Sequence, residues 1–175
     1  MSIVISFLSF ILSIFALIYT NQRHQRTLLD SLDSKSGWRK TLFEIAGKDK
    51  ITLDDVFKIR ASIRFDTKKN AKNIFDKKTN EIIEYCDQMQ EIYDVSSCKS
   101  SILAKEHREK ARIYSRYLLA NHWEILQLSD NEYKRYRILR GDSLGDINNY
   151  KDIRWYNKEK ELENQTNKLI KDLKK

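Results

Sequence analysis

The sequence predicts an all-α protein in which an N-terminal single transmembrane helix is followed by a cytoplasmic helical bundle. The segment from Ser2 to Tyr19 contains no charged side chain. The remainder is rich in charged residues, and the whole chain of 175 residues has four glycines and no proline. Such a composition favours long helices with short connections over the turn-rich pattern of β-sheet proteins.

Residues 1–20 are the predicted membrane helix, with Ser2 and Tyr19 near its two ends. At about 1.5 Å per residue this segment covers about 27 Å, which is close to the thickness of the hydrocarbon core of a bilayer. A cleaved signal peptide and a buried core helix are the alternatives. A signal peptide normally has a charged start and small residues before its cleavage site. A core helix usually has a polar edge, whereas the polar groups here are serines and a terminal tyrosine.

The charges that flank this helix predict its orientation. Residues 21–36 form a basic juxtamembrane stalk or linker that includes Arg23 and Arg26, and few acidic residues oppose them. Because basic residues accumulate on the cytoplasmic side of membrane spans, we expect the N-terminus outside and residues 37–175 in the cytoplasm. The protein would then lie in the cell membrane, where Arg23 and Arg26 contact anionic lipid head groups.

Small residues recur along the predicted span at alternating steps of four and three. The helix therefore has one stripe of small side chains, formed by Ser6, Ser9, Ser13 and Ala16 together with Ser2 and Thr20. Small residues let two membrane helices approach closely, and the heptad step indicates a left-handed crossing. The stripe predicts a homo-oligomer or contact with another membrane protein. The alternative is that each serine bonds to a carbonyl of its own helix.

Hydrophobic periodicity and capping residues predict helices throughout residues 37–175, with no internal repeat. The expected bounds are 38–46, 52–65, 67–94, 100–128, 133–139 and a last helix from about residue 148. The apolar face of the last helix is expected to include Leu162, Leu169 and Ile170. The face of the helix over 100–128 is expected to consist of Leu103, His107, Ala111, Tyr114, Leu118, His122 and Ile125.

The net charge of +8 lies entirely beyond Thr20 and is compatible with nucleic acid, an anionic membrane surface or an acidic protein. It is equally compatible with an ordinary solvated helical surface. Aromatic and basic residues alternate in the segment 133–140, which suits base stacking, an inner-leaflet contact or an amphipathic helix with half-buried tyrosines. The last interpretation is favoured, so nucleic acid is the less favoured partner.

Neither a metal site nor a cofactor site is predicted. Cys86 and Cys98 lack the spacing of zinc ligands, and in a cytosolic domain they are expected to be reduced thiols. The glycine-containing loop 141–145 follows a predicted helix rather than a strand, and it lacks the lysine and hydroxyl residues of a phosphate-binding loop.

Arg116 is followed after five residues by His122, late in a predicted long helix. This spacing resembles the R-x4-6-H motif of HEPN-type ribonucleases, which occur in toxin, abortive-infection and RNA-guided defence systems. The resemblance implies a dimer in which Arg116 and His122 line a shared cleft, the histidine acting on the ribose 2′-hydroxyl and the arginine on the phosphate charge. It covers seven residues, and Tyr117 stands where the family usually has a polar side chain.

The function predicted from these features is not enzymatic. We expect a membrane-anchored protein whose basic helical domain mediates protein–protein contact at the inner face of the membrane. Phage or plasmid exclusion and immunity factors of bacteria have a similar layout, but layout alone does not determine function. The alternative is a membrane-tethered HEPN-like ribonuclease of a toxin or abortive-infection type.

Overall fold

The chain is all-α. The computed structural model describes residues 2–35, 37–94, 102–140 and 154–173; of these, it leaves undescribed the side chains of residues 2, 3, 22, 23, 25, 26, 28–30, 32–35, 94, 130, 137–140 and 154. Seven helices lie in the described ranges: α1 (Ser2–Lys35), α2 (Trp38–Gly47), α3 (Leu53–Ala61), α4 (Ile74–Asp94), α5 (Lys105–Leu126), α6 (Asp130–Arg140) and α7 (Arg154–Asp172). The chain divides into two compact units, Met1–Arg39 and Lys40–Lys175.

The first unit is dominated by α1, which continues without a break through the basic segment that follows the apolar residues. The helix ends at Lys35, and Gly37 then has a φ of 75°. Side chains rarely adopt this left-handed conformation, and glycine has no Cβ to oppose it. A new helix, α2, begins at the next residue.

The core of the second unit lies among α2, α3, α4 and α5, and α7 packs against α5 and α4. Phe75 at the start of α4 stacks on Tyr117 late in α5, with ring centroids 6.4 Å apart. Further along α4, the Tyr85 hydroxyl donates a 2.8 Å hydrogen bond to the carbonyl of His107 near the start of α5. These two pairs show that α4 and α5 are antiparallel. The buried apolar residues of this pair are Ile82, Ile83, Tyr85, Cys86, Met89, Ala111, Ile113, Tyr114, Tyr117 and Leu118.

An aromatic cluster joins α6 and α7 to the end of α5. Trp155, at the start of α7, packs edge-on against Tyr136 of α6 with ring centroids 4.8 Å apart, and both rings are buried with Leu128. Tyr133 stacks on the other side of Tyr136. The start of α7 therefore lies at the end of α5, so these two packed helices are also antiparallel.

The connections around α2 and α3 are tied to α5 by backbone groups. The amide of Leu103 donates a 3.0 Å hydrogen bond to the carbonyl of Ile51, so residues 102–104 are extended rather than helical. The Arg112 guanidinium of α5 donates to the carbonyls of Lys48 and Asp49 at 2.8 and 2.6 Å. The predicted helix start near residue 100 is thus displaced, and α5 begins at Lys105.

The predicted helix start at Thr67 is wrong, because α4 begins at Ile74. Asn73 provides the cap, since its side-chain oxygen accepts a 2.7 Å hydrogen bond from the backbone amide of Asp76. Residues 62–73 form a loop instead. The predicted buried face of the last helix is also partly wrong: Leu169 is half exposed, whereas Glu159 and Thr166 are buried.

Candidate functional site

The apolar part of α1 is the feature most clearly built for contact with something outside the chain. Residues Val4–Asn21 are long and apolar enough to cross a membrane, and none of this window is buried. Large side chains on every side of the helix are exposed, among them Phe7, Leu12, Phe15 and Leu17. Since a core helix buries such residues, this exposure argues against the core-helix alternative and leaves a membrane span or a signal sequence.

The small-residue stripe is present on this exposed surface. The Ser9 hydroxyl donates to the carbonyl of Ile5 and the Ser13 hydroxyl to the carbonyl of Ser9, each at 2.9 Å. These two hydroxyls are therefore engaged by their own helix, as the alternative interpretation expected. The stripe can therefore contribute to a contact through the small size of its side chains, a property that Ser6 and Ala16 share.

The residues at the two ends of the predicted span, and the two arginines of its basic flank, all lie on α1. Tyr19 is exposed on α1, and the side chain of Ser2 lies outside the described part of the structure. Arg23 and Arg26 lie on helical backbone, and their side chains also fall outside the description. Their expected contact with lipid head groups stays a prediction.

Arg116 and His122 both lie on α5, but one chain does not bring them together. The Arg116 side chain is exposed, whereas His122 is half-buried. Six residues along an α-helix turn by about 240°, so the two side chains leave the helix about 120° apart. The resemblance to HEPN-type ribonucleases implies that a site containing both groups is shared between two chains.

The polar interior between α4, α5 and α7 contains titratable groups close together. Lys78, which is buried, pairs with Glu81 and donates a 2.6 Å hydrogen bond to the side-chain oxygen of Asn167. Glu81 also accepts a 2.8 Å hydrogen bond from the Tyr114 hydroxyl. Burial, with the nearby charge of Glu81, raises the pKa of Tyr114 far above its usual value. Tyr114 is therefore a hydrogen-bond donor that links helices.

The aromatic residues of α6 do not form an open stacking platform. Tyr136 is buried against Trp155, and Tyr133 is half-buried against Tyr136. Lys134 and Arg135 point into solvent on the other side of the helix. Among the described residues of this segment, the arrangement is that of an amphipathic helix with buried tyrosines.

A cluster of three or more His, Cys, Asp or Glu side chains able to hold a metal ion is absent from the described parts of the chain. Cys86 is a free and buried cysteine, and burial raises the pKa of its thiol to about 12. Cys98 and the loop 141–145 lie outside the described residues.

The sequence analysis missed the loop between α3 and α4, which we call the basic loop (residues 62–73). With the adjoining helix ends, from Lys58 to Lys78, it contains eight basic and two acidic residues, a surplus of six in a chain whose net charge is eight. This surplus was available as a signal in the sequence. The predicted helices 52–65 and 67–94 conceal it, because together they include most of the loop.

Asp76 holds the basic loop in place from the first turn of α4. Its carboxylate accepts hydrogen bonds from Arg64 Nη1 and Lys68 Nζ, both at 2.9 Å, and from Asn73 Nδ2 at 2.8 Å. The side chain of Asn80 adds two 2.9 Å hydrogen bonds, one from the amide of Lys68 and one to its carbonyl. Burial alone would raise the pKa of Asp76, but the bonds from Lys68 and Asn73 and the nearby positive charges hold it below its usual value.

The comparisons with known proteins identify no relative: no family model matches the chain, and neither a curated protein nor a solved structure matches it.

Proposed function

We propose that this chain is a single-pass membrane protein whose N-terminal helix holds a basic helical domain at the cytoplasmic face of the membrane, where the protein contacts another protein. The observation that carries the proposal is the apolar window Val4–Asn21, which is fully unburied in the chain itself. Leaving so many large apolar side chains in water would be costly, at about 25 cal/mol for each Å² of apolar surface. A bilayer removes that cost.

The orientation in this proposal rests on the flanking charges. Arg23 and Arg26 follow the apolar window, whereas residues 1–3 have no charged side chain. The positive-inside tendency places the basic flank, and with it the second unit, in the cytoplasm. Cys86 would then lie in a reducing compartment, which suits a free and buried thiol.

The small-residue stripe supports a protein contact within the membrane. Large Ile, Leu and Phe side chains occupy the other sides of α1, so the stripe is where a second helix can approach most closely. The hydroxyls of Ser9 and Ser13 already bond to their own helix, so the contact depends on side-chain size rather than on hydrogen bonds between helices. A second copy of this span is the simplest partner, because the two copies present the same stripe.

This distinction yields a test with matched variants. Replacing Ser9 and Ser13 with alanine keeps the stripe small, and we expect self-association in a membrane two-hybrid reporter to be retained. Replacing the same residues with leucine fills the stripe, and we expect the reporter signal to fall to that of an unrelated monomeric span. Each variant is also checked for its amount in the membrane fraction.

Two results would contradict the contact. One is an unchanged signal with leucine at both positions, which would show that the stripe is not the contact surface. The other is a signal lost equally with alanine and leucine, which would show that the hydroxyls themselves make the contact. Failure of all variants to reach the membrane would instead contradict the span.

A further inference from the structure

We propose that the basic loop is a second membrane-contact site, at which Phe65 enters the head-group region of an anionic bilayer while lysines of the loop bind the lipid phosphates. The inference extends the proposed function, because it gives the soluble unit its own contact with the membrane. The site itself consists of residues of that unit alone. The observations behind it are an exposed aromatic side chain, exposed lysines in the same loop and an ordered loop backbone.

Phe65 is the most exposed large apolar residue that the structure describes, with 84% of its surface accessible. Its position is determined by neighbouring groups. The Arg60 guanidinium lies 6.0 Å from the ring centroid and donates a hydrogen bond to the Phe65 carbonyl. At membrane surfaces, exposed aromatic rings beside basic residues lie at the level of the head groups, so Phe65 together with the basic loop has the composition of such a contact.

Three lysines of the basic loop and the adjoining start of α4 are available for a ligand. Lys69, Lys72 and Lys77 are exposed, and none of them forms an ion pair with an acidic side chain in the described ranges. By contrast, Arg64 and Lys68 pair with Asp76 and serve the loop itself. The cations therefore divide into a group that holds the loop and a group that faces outward.

The loop is ordered before any ligand arrives. Asp76 and Asn80 bind its side chains and backbone, and the Arg60 Nη1 group donates a 3.0 Å hydrogen bond to the carbonyl of Arg64. A surface that is already ordered loses little conformational entropy on binding. This is why a modest number of contacts is sufficient for a measurable association.

A bilayer fits these features better than nucleic acid does. The chain has an apolar helix long enough to cross a membrane, and tethering would raise the effective concentration of lipid at the loop. A lysine near an anionic membrane surface contributes about 1 kcal/mol. The described tyrosines of α6, which alternate with basic residues in the sequence, pack against one another and Trp155 rather than being offered to bases.

The test uses the full chain with one fluorescent label at the loop. Asn70, which is exposed, is changed to cysteine, and Cys98→Ser removes the competing thiol, while Cys86 is buried. The chain is reconstituted into nanodiscs of phosphatidylcholine, with or without phosphatidylglycerol, and the label is exposed to lipid-borne nitroxide. We expect quenching in anionic discs and little in zwitterionic discs. A label at exposed Gln127 should be quenched in neither.

Matched variants separate the two parts of the site. Lys69→Gln with Lys72→Gln should lower the docked-to-free ratio of the loop more than about tenfold, as expected for two charges at an anionic surface. Lys160→Gln with Lys168→Gln makes the same charge change on exposed positions of α7 and should leave quenching unchanged. Phe65→Ser should reduce quenching, whereas Phe43→Ser, also at an exposed aromatic, should not.

Several results would overturn the proposal. One is a label at position 70 that is unquenched in both kinds of disc, and another is quenching that is equally strong in discs without phosphatidylglycerol. A third is a loss of quenching in the α7 lysine variant that equals the loss in the loop lysine variant. Protection of the label by an oligonucleotide but not by anionic lipid would assign the loop to nucleic acid. If the chain does not stay in the discs, that result contradicts the proposed membrane anchor only. The loop contact is then measured separately, with the same label and added phosphatidylglycerol vesicles.

Discussion

Arginine in place of Leu12 and Phe15 is expected to release the chain from the membrane. Both residues lie near the middle of the apolar window and are exposed on α1. One arginine at the centre of a span costs about 2.5–3.5 kcal/mol on insertion scales, so two cost about 5–7 kcal/mol. The nine large apolar residues that remain in the window offset about 3–5 kcal/mol at about 0.3–0.6 kcal/mol each, so the balance shifts against insertion. Fractionation after an alkaline wash measures the result.

The matched control adds the same two charges at the C-terminal end of the window and beyond it. Asn21→Arg with Thr27→Arg alters exposed positions on the cytoplasmic side of the expected span and should leave the chain in the membrane pellet. Retention of the Leu12 and Phe15 variant in the washed pellet would show that something other than this helix anchors the protein.

Replacing Asp76 with alanine is expected to destabilise the second unit by about 2–3 kcal/mol, the range for removing one partner of buried charged hydrogen bonds. Arg64, Lys68 and Asn73 all lose their acceptor, and α4 loses a negative charge at its first turn. Both cations are partly exposed and can be hydrated, which limits the loss. Denaturant unfolding followed by circular dichroism measures the change.

Asp66→Ala is the control, because Asp66 is an exposed residue of the same loop and it is its backbone carbonyl that accepts a 3.0 Å hydrogen bond from Arg64 Nε. We expect a change within about 0.5 kcal/mol, as for surface substitutions in general. Equal effects of Asp66→Ala and Asp76→Ala would show that Asp76 does not hold the loop.

Acid should weaken the same interaction. The pKa of Asp76 is lower in the folded than in the unfolded chain, so the unfolded state binds its proton first as the pH falls. The ionised Asp76 carboxylate therefore stabilises the folded state fully near neutral pH. This stabilisation is lost as the pH falls below the pKa range of ordinary carboxyl groups. Asp55 behaves in the same way: burial would raise its pKa, but Lys48 and the Thr52 amide lower it.

Much of the fold could be predicted from local sequence patterns. Thr52 and Asp55 form the expected helix start, in which the Thr52 amide donates a 2.9 Å hydrogen bond to the Asp55 carboxylate. Ser129 and Glu132 repeat this arrangement at α6, where the Ser129 amide donates at 2.9 Å to the Glu132 carboxylate. Leu42 and Ile45 are buried on α2 as their spacing predicts. These features depend on residues close together in the chain.

The rest depends on contacts between distant residues, which periodicity does not reveal. The residues next to Thr67 in the sequence do not distinguish it from a helix cap. A loop replaces the predicted helical turns at residues 67–73 because Asp76 and Asn80 bind it. Likewise, α7 buries Thr166 and exposes Leu169, since its buried face meets the polar interior of α4 and α5. The apolar window of α1 could be found from sequence because it is a continuous apolar segment that does not depend on contacts with distant residues of the chain.

The central claim is that the apolar window is a retained span with the second unit in the cytoplasm. Its most direct test is the intact mass of the protein in alkaline-washed, sealed, right-side-out membrane vesicles after treatment with external protease. The claim predicts a protected species that still contains Val4–Asn21 and extends to the end of the chain. A chain shortened by removal of this window, or a second unit digested in sealed vesicles, would contradict it.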